Sequence, residues 1–294
     1  MCMDTAIVAL GGNTLSNPGK RFTDEEQFKT VNLTIKRLLK LFEGRKVVLT
    51  HGNGPQVGDL YLQQERTKKE VSPLSLHTCV AMTQGQLGYH IQRSLASLGI
   101  SGATIVTQVV VDPSDPAFKN PTKPIGPYYE EKKSEWNMEK KRGGWRRVVP
   151  SPKPVEIVEI KEIKKVLSEG TLAISCGGGG IPVVKEGNEL VGVDAVIDKD
   201  KTSSLLAKEL EAKELYIVTD VPYVYQNYGK KNQEKILEMS LREAKELIEK
   251  EEFEEGSMKP KIEAAVDFLE SGGEEVLITN SENVIKGKGT KLKG

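Results

Sequence analysis

CGGGGIPVVKEGNELVGVDAVIDKDK, residues 176–201, is the stretch that decides the fold prediction. The short apolar run before it, residues 171–175, predicts a buried strand that ends at the glycines. Four glycines allow positive φ angles and expose main-chain N–H groups to an anion. Asp198-Lys199-Asp200 then opens a predicted helix, where a cation and the helix dipole act on one phosphate. A flexible connector and a solvated helix cap are the alternative interpretations.

The same strand-then-glycine pattern occurs twice nearer the N-terminus. The apolar run 5–10 ends at GGN (residues 11–13), and the run 46–50 ends at HGNGP (residues 51–55). Between them, apolar residues at helical spacing predict a helix that begins at the capping box Thr23 to Glu26. This βαβ order predicts a parallel sheet with a ligand crevice at the carboxyl ends of its strands.

The alternation of strands and helices continues to the C-terminus with one interruption. Helices are predicted at 56–66, 74–98, 155–167, 199–210 and 240–249, with a last one introduced by Pro260. Strands are predicted at 104–111, 172–175, 215–219 and 276–279, and a hairpin at 183–191. From residue 112 to 154 proline, tryptophan and basic residues replace this periodicity, which predicts an inserted lobe at about residues 112–150.

Composition limits the classes of function. Acidic and basic residues balance at 42 each, so no global charge favours nucleic acid or an anionic membrane. Cys2, Cys79 and Cys176 are far apart and lack C-x-x-C spacing, which argues against disulfides or zinc and fits a reducing cytoplasm. No apolar run approaches the roughly 20 residues that span a bilayer, and residues 1–4 do not resemble a signal peptide. We therefore expect a soluble intracellular protein.

The glycine clusters and two lysines together predict a polyphosphate crevice. Lys199 and Lys261 both lie at predicted helix N-termini, and all three glycine clusters lie at strand ends. None of the clusters fits G-x-x-x-x-G-K-[ST], which excludes a P-loop, and the first lacks the third glycine of the dinucleotide fingerprint. The chemistry that remains is phosphoryl transfer outside those two folds.

Eight sequence blocks resemble the carbamate kinase family of the amino acid kinase superfamily. They are ALGGN (9–13), HGNGPQVG (51–58), DPAFKNPTKPIGPYY (115–129), WRRVVPSPKP (145–154), CGGGGIPV (176–183), VIDKD (196–200), TDV (219–221) and GSMKPKI (256–262). The resemblance implies a three-layer αβα fold: an open, mainly parallel sheet with helices on both faces and a small inserted lobe. It implies a single domain over residues 1–294, with carbamate bound by residues 1–170 and nucleotide by residues 171–294.

The resemblance implies the reversible reaction ATP + carbamate = ADP + carbamoyl phosphate, with Mg²⁺ held through the nucleotide phosphates and no protein metal ligands. Carbamate attacks as an anion, so the step needs positioning and charge neutralisation rather than a general base. The implied catalytic residues are Lys123, Lys199, Lys261 and Asp200. The implied substrate-binding residues are Gly11, Gly12, Asn13, Gly52, Asn53 and Gly54. The implied nucleotide-binding residues are Gly177, Gly178, Lys199, Asp220, Tyr225, Met258 and Lys261, with a packing role open for Tyr225.

Two positions depart from related patterns. The first strand lacks the lysine that relatives such as acetylglutamate kinase carry before the glycines, and the resemblance implies that Lys123 of the lobe replaces it. Lys259 stands where a glycine is expected. The resemblance also implies a cytoplasmic homodimer in arginine metabolism that binds neither nucleic acid nor membrane.

Three alternative functions stay open at this point. One is an acid kinase of the same superfamily with another acceptor, such as an acetylglutamate kinase-like enzyme. The second is a nucleotide-binding sensor without turnover. The third is nucleic-acid binding by the basic segment 132–147, whose cations are interleaved with Trp136 and Trp145; a solvated lobe edge is the simpler interpretation of that segment.

Overall fold

A computed structural model describes residues 3–15, 23–141, 143–253 and 257–294, except the side chains of Asn13 and Lys141. The strands are β1 (Thr5–Leu10), β2 (Lys46–His51), β3 (Gly102–Thr104), β4 (Gln108–Val111), β5 (Lys123–Tyr129), β6 (Met138–Lys141), β7 (Gly144–Val149), β8 (Pro154–Ile157), β9 (Leu172–Ile174), β10 (Ile181–Glu186), β11 (Glu189–Gly192), β12 (Glu214–Thr219), β13 (Val224–Gln226), β14 (Glu234–Ile236), β15 (Glu238–Ser240), β16 (Glu275–Asn280) and β17 (Thr290–Lys293). The α-helices are α1 (Asp24–Phe42), α2 (Gly54–Thr67), α3 (Leu76–Ser97), α4 (Ile160–Ser168), α5 (Lys199–Glu209), α6 (Leu241–Glu249) and α7 (Lys259–Glu270).

The main sheet has eight strands in the order β15-β17-β16-β12-β1-β2-β9-β3. Neighbouring strands run parallel except β16 and β17. At the centre, Leu10 of β1 pairs with Val218 of β12 on one side and His51 of β2 on the other. The chain segments that leave β1, β2 and β12 therefore emerge side by side, as the predicted crevice requires.

Helices cover both faces of this sheet. Ala6, Val8 and Leu10 of β1 pack in one apolar cluster with residues of α1 and α3. Ile7 points to the other face, because successive side chains of a strand alternate, and packs with residues of α4, α5, α6 and α7. The predicted three-layer arrangement with a mainly parallel sheet is confirmed. In the described part of the chain, no helix combines the length and apolarity needed to cross a membrane.

The segment after β4 forms a separate small sheet in the order β5-β7-β6, called here the lobe sheet. It packs on α2 through an apolar cluster that includes Ile125 and Val149 of the lobe sheet and Val57 of α2. Gly58 of α2 is buried, and a Cβ at its position would clash with the backbone of Gly126, which itself has φ +68°. The lobe sheet thus rests directly on the α2 backbone, at a contact that needs glycine on the helix.

Several predicted elements are confirmed, and three are wrong in part. Helix α1 begins at the predicted capping box, α6 begins at a second one, which the sequence predicts at Ser240 to Glu243, and β10 and β11 form the predicted hairpin. Residues 154–157 form β8, not helix, because they pair antiparallel with β4. The predicted strand 104–111 is divided between two sheets, since the Gln84 side chain binds the backbone N–H (2.7 Å) and C=O (3.1 Å) of Thr107. The strand predicted at 276–279 is the last in the sequence-based prediction, but β17 follows it and pairs with it.

Replacing Gly58 by alanine should lower the free energy of unfolding by about 1–3 kcal/mol, because α2 and the lobe sheet must move apart. Gly85→Ala in α3 is the matched control: nothing lies within 4 Å of its Cβ position, and alanine favours a helix over glycine by about 1 kcal/mol. Urea denaturation of both variants measures the difference. Equal free energies of unfolding for Gly58→Ala and the parent protein would contradict the close contact.

Candidate active site

An ion-pair network occupies the N-terminus of α5. Asp198 is the N-cap of this helix, and its Oδ1 accepts hydrogen bonds from the backbone N–H of Asp200 (2.9 Å) and Lys201 (3.4 Å). Its Oδ2 accepts a hydrogen bond from Nζ of Lys123 at 2.6 Å. One carboxylate therefore caps the helix and also binds the lysine that the lobe sheet contributes.

Asp200, in the first turn of α5, completes the network. Its Oδ1 pairs with Lys199, and its Oδ2 accepts from Nζ of Lys261 at 3.2 Å. Lys261 lies in the first turn of α7 and also donates to the Ser257 carbonyl at 3.1 Å. The structure thus brings together the four residues predicted to be catalytic, from the lobe sheet, α5 and α7.

The charges of this network are largely buried. The exposed fraction is 9% for Lys199 and 2% for Asp200. Burial raises the pKa of the Asp198 carboxyl, but Lys123, Lys261 and Lys199 outweigh burial and hold that pKa well below its usual range. Burial lowers the pKa of Lys261, yet Asp200 and Asp198 raise it overall. Three ammonium groups face two carboxylates, so the network carries one formal positive charge in excess.

Burial also acts on Lys199, where it lowers the pKa more than Asp200 raises it. The Asp200 carboxyl shows the opposite balance: burial raises its pKa, and the two lysines Lys199 and Lys261 bring it below its usual value. An additional anion beside Lys199 would favour its charged form, because opposite charges stabilise each other strongly away from water. The network is therefore electrostatically suited to an anionic ligand.

The four-glycine run lies beneath this network and is fully buried. A Cβ at Gly177 would clash with Nε2 of His51, and one at Gly178 would clash with the Asn53 amide. Gly178 has φ +67°, and the preceding Cys176 has φ +52°. These two glycines make room for His51 and Asn53, and the nucleotide contact predicted for them stays a prediction.

The glycines predicted to bind substrate differ in the surroundings of their backbone N–H groups. The Gly11 N–H donates to the Val218 carbonyl at 2.7 Å, and the Gly52 N–H donates to the Leu10 carbonyl at 2.9 Å. Both N–H groups continue the hydrogen bonding of the sheet, and the substrate contact predicted for these two glycines stays a prediction. Gly54 begins α2, where first-turn N–H groups have no acceptor within the helix. Gly12 belongs to a short 3-10 turn after β1.

The two predicted asparagines and the residues predicted to border the nucleotide come from separate elements. Asn53 is 2% exposed, and its Nδ2 donates to the Thr83 hydroxyl at 2.8 Å; the Asn13 side chain lies outside the described part of the structure. Asp220 directly follows β12, and its charge contributes to the raised pKa of Lys261. Tyr225 lies within an aromatic group with Tyr223 and Tyr228, and Met258 precedes α7.

A cavity of about 830 Å³ separates the lobe sheet from the N-termini of α5 and α7. Lys123 and Asp198 line it together with Arg146 of the lobe sheet. Neither Asp198 nor Arg146 is among the residues predicted for the site. For Asp198 a usable signal existed, because aspartate is a preferred N-cap residue and precedes two predicted site residues at a helix start. Arg146 carries no such local signal.

Comparisons with known proteins identify the family to which this chain belongs. The amino acid kinase family model matches residues 4–280, and the chain belongs to that family. Carbamate kinases from Halobacterium salinarum and Thermoplasma volcanium are 45% and 46% identical to it, over 95% and 94% of this chain and 94% of each relative. The structure of carbamate kinase from Giardia lamblia bound to AMP-PNP superposes with a TM-score of 0.91 at 38% identity, covering 99% of this chain and 98% of that one. Within that family, the chain groups with the carbamate kinases by sequence similarity.

The buried His51 ring should make stability depend on pH. Burial lowers the pKa of His51 from 6.5 to about 4. Because the folded pKa lies below the unfolded value, this ring contributes stability that is complete above pH 6.5 and is lost as the pH falls toward 4, by about 3 kcal/mol. Urea denaturation between pH 4 and 7 should show this loss, and a smaller one in His51→Gln. An NMR titration that placed the ring near its ordinary pKa would refute the assignment.

Proposed function

We propose that this protein transfers a phosphoryl group reversibly between ATP and carbamate, giving ADP and carbamoyl phosphate. The observation that carries the proposal is the meeting of Lys123, Lys199 and Lys261 around two aspartates, with one positive charge in excess. Phosphoryl transfer needs positive charge held in fixed positions, because the moving group is anionic throughout. Membership in the carbamate kinases supports carbamate as the acceptor.

In the proposed step, a carbamate oxygen forms a bond to the γ-phosphorus while the bond from that phosphorus to the ADP oxygen breaks. No proton has to be removed, because carbamate attacks as an anion. Lys199 and Lys261 would contact the phosphoryl oxygens from the helix side, and Lys123 would contact them from the lobe sheet. Asp200 acts on the step through its two lysines, holding their ammonium groups in place. The amides of Gly12 and Gly54, and the side chains of Asn13 and Asn53, would orient carbamate.

The proposal places the nucleotide on the side of residues 171–294, bordered by Asp220, Tyr225 and Met258, with Gly177 and Gly178 beneath it. Mg²⁺ bound through the phosphates would neutralise part of their charge. Asp198 and Asp200 already neutralise lysines, and among the described residues no group of three or more His, Cys, Asp or Glu could hold a metal alone. A single domain over residues 1–294, a homodimer, a cytoplasmic location and a role in arginine metabolism are parts of the proposal that rest on resemblance.

The first test is formation of ATP from carbamoyl phosphate and MgADP, followed with a coupled assay. We expect turnover with carbamoyl phosphate in this direction, and none when ATP is offered N-acetylglutamate in the reverse one. Transfer to N-acetylglutamate without any reaction of carbamoyl phosphate would replace carbamate with another acceptor acid. Nucleotide binding with no transfer at all would point to the non-catalytic sensor.

The second test is Lys123→Ala, which should lower kcat by about 10²–10³-fold, the usual effect of removing one group that stabilises transition-state charge. Nucleotide affinity should change little, because Lys123 comes from the lobe sheet rather than from the nucleotide side. Lys140→Ala is the control, since Lys140 is an exposed lysine of the same lobe sheet. Undiminished turnover in Lys123→Ala would remove Lys123 from the mechanism.

A further inference from the structure

Two adjacent arginines of β7 have opposite surroundings. Arg147 pairs with Glu65 of α2, and its guanidinium lies 4.6 Å from the ring centroid of Tyr61 and 5.0 Å from that of Trp136. Its charge is therefore neutralised where the lobe sheet packs on α2. Arg146 points to the other face of the strand, because neighbouring side chains alternate, and it lines the cavity.

Arg146 is only partly satisfied by the protein. Its Nε donates to the Gly126 carbonyl at 2.9 Å, and its guanidinium lies 5.3 Å from the ring centroid of Tyr128. In the described part of the chain, it forms no ion pair with a carboxylate. Burial lowers the pKa of Arg146, against an opposing effect of Tyr128, as expected for a cation without a counter-charge. A guanidinium has five N–H donors, so donors remain beyond the one bound to Gly126.

Two lysines of the same cavity have carboxylate partners. Lys123 is bound to Asp198 at 2.6 Å, and Lys201 is bound to Glu263 at 3.0 Å. A partly buried cation without such a partner costs folding free energy, and an anionic ligand can offset that cost. A ligand entering the cavity therefore meets a guanidinium that has no ion pair among the described residues, while Lys123 is bound to Asp198. Glu139, which pairs with Arg146 across the lobe sheet, lines the same cavity.

We propose that Arg146 binds the phosphoryl group of carbamoyl phosphate as this substrate enters the cavity, in addition to the contact from Lys123. The planar fork of an arginine matches two phosphate oxygens at once, which lysine cannot do. Both residues belong to the lobe sheet, where Lys123 pairs with Val149 and Arg146 pairs with Tyr128. This inference rests on the proposed function, which supplies the identity of the acyl phosphate.

The kinetic test compares Arg146→Gln with Arg146→Lys in the direction of ATP formation. Arg146→Gln should raise the KM for carbamoyl phosphate about 10- to 100-fold, as for lost hydrogen bonds to a charged group, and leave the KM for MgADP within about twofold. Arg146→Lys keeps the charge but loses the bond to Gly126, so it should restore part of the affinity for carbamoyl phosphate. Equal KM values in both variants and the parent protein would overturn the proposal. Equal defects in the two variants would also overturn it, since they would indicate a purely structural role at Gly126.

The binding test uses inorganic phosphate and needs no turnover. Phosphate should bind the parent protein in calorimetric titrations, bind Arg146→Gln at least about tenfold more weakly, and bind the exposed-residue control Lys140→Gln normally. Equal phosphate affinity in the parent protein and Arg146→Gln would overturn the inference even if the enzyme turns over carbamoyl phosphate. Arg146-dependent phosphate binding without any turnover of carbamoyl phosphate would instead refute the proposed function and support an anion site at Arg146.

Discussion

Two aspartates at the start of one helix are the constraint on which the site depends. Three lysines cannot lie together away from water unless carboxylates offset their charge, and Asp198 and Asp200 do so from the N-cap and the first turn of α5. Asp198 is itself held by the backbone N–H groups that it caps. Because burial strengthens every charge interaction, this arrangement fixes the lysines before any ligand arrives. The sheet, the helix start and the lobe sheet all serve to bring these five side chains together.

Local patterns in the sequence predict much of this arrangement. Glycines at strand ends predict the parallel sheet and its crevice. The predicted helix starts place Lys199 and Lys261 at helix N-termini, where the structure has them. The place of Lys123 follows only from the family resemblance, because it depends on how the lobe sheet packs on α2. That packing is set by the contact of Gly58 with Gly126, two positions with no shared local pattern. The same reason explains residues 154–157, whose strand exists through its pairing with β4.

The role of each glycine cannot be predicted from the sequence alone. Glycine is compatible both with an N–H group open to an anion and with a site where another side chain needs the space. At Gly11 and Gly52 the amides complete the sheet, and at Gly177 and Gly178 the missing Cβ atoms accommodate His51 and Asn53. The residue type is the same in each case. Only the neighbours, which come from distant parts of the chain, distinguish a ligand contact from a packing contact.

The buried glycine run also bears on how proteins of this kind can diverge. A methyl group at any position from Gly177 to Gly180 would collide with His51, Asn53, Ile197 or Val109. Substitution of these glycines therefore requires their neighbours to move. The cavity face of the lobe sheet, in contrast, is made of side chains on a separate layer, including Arg146 and Tyr128. A lineage that acquired a different acceptor acid could remodel that layer around Lys123 and keep the buried glycine run and the two aspartates of α5 unchanged.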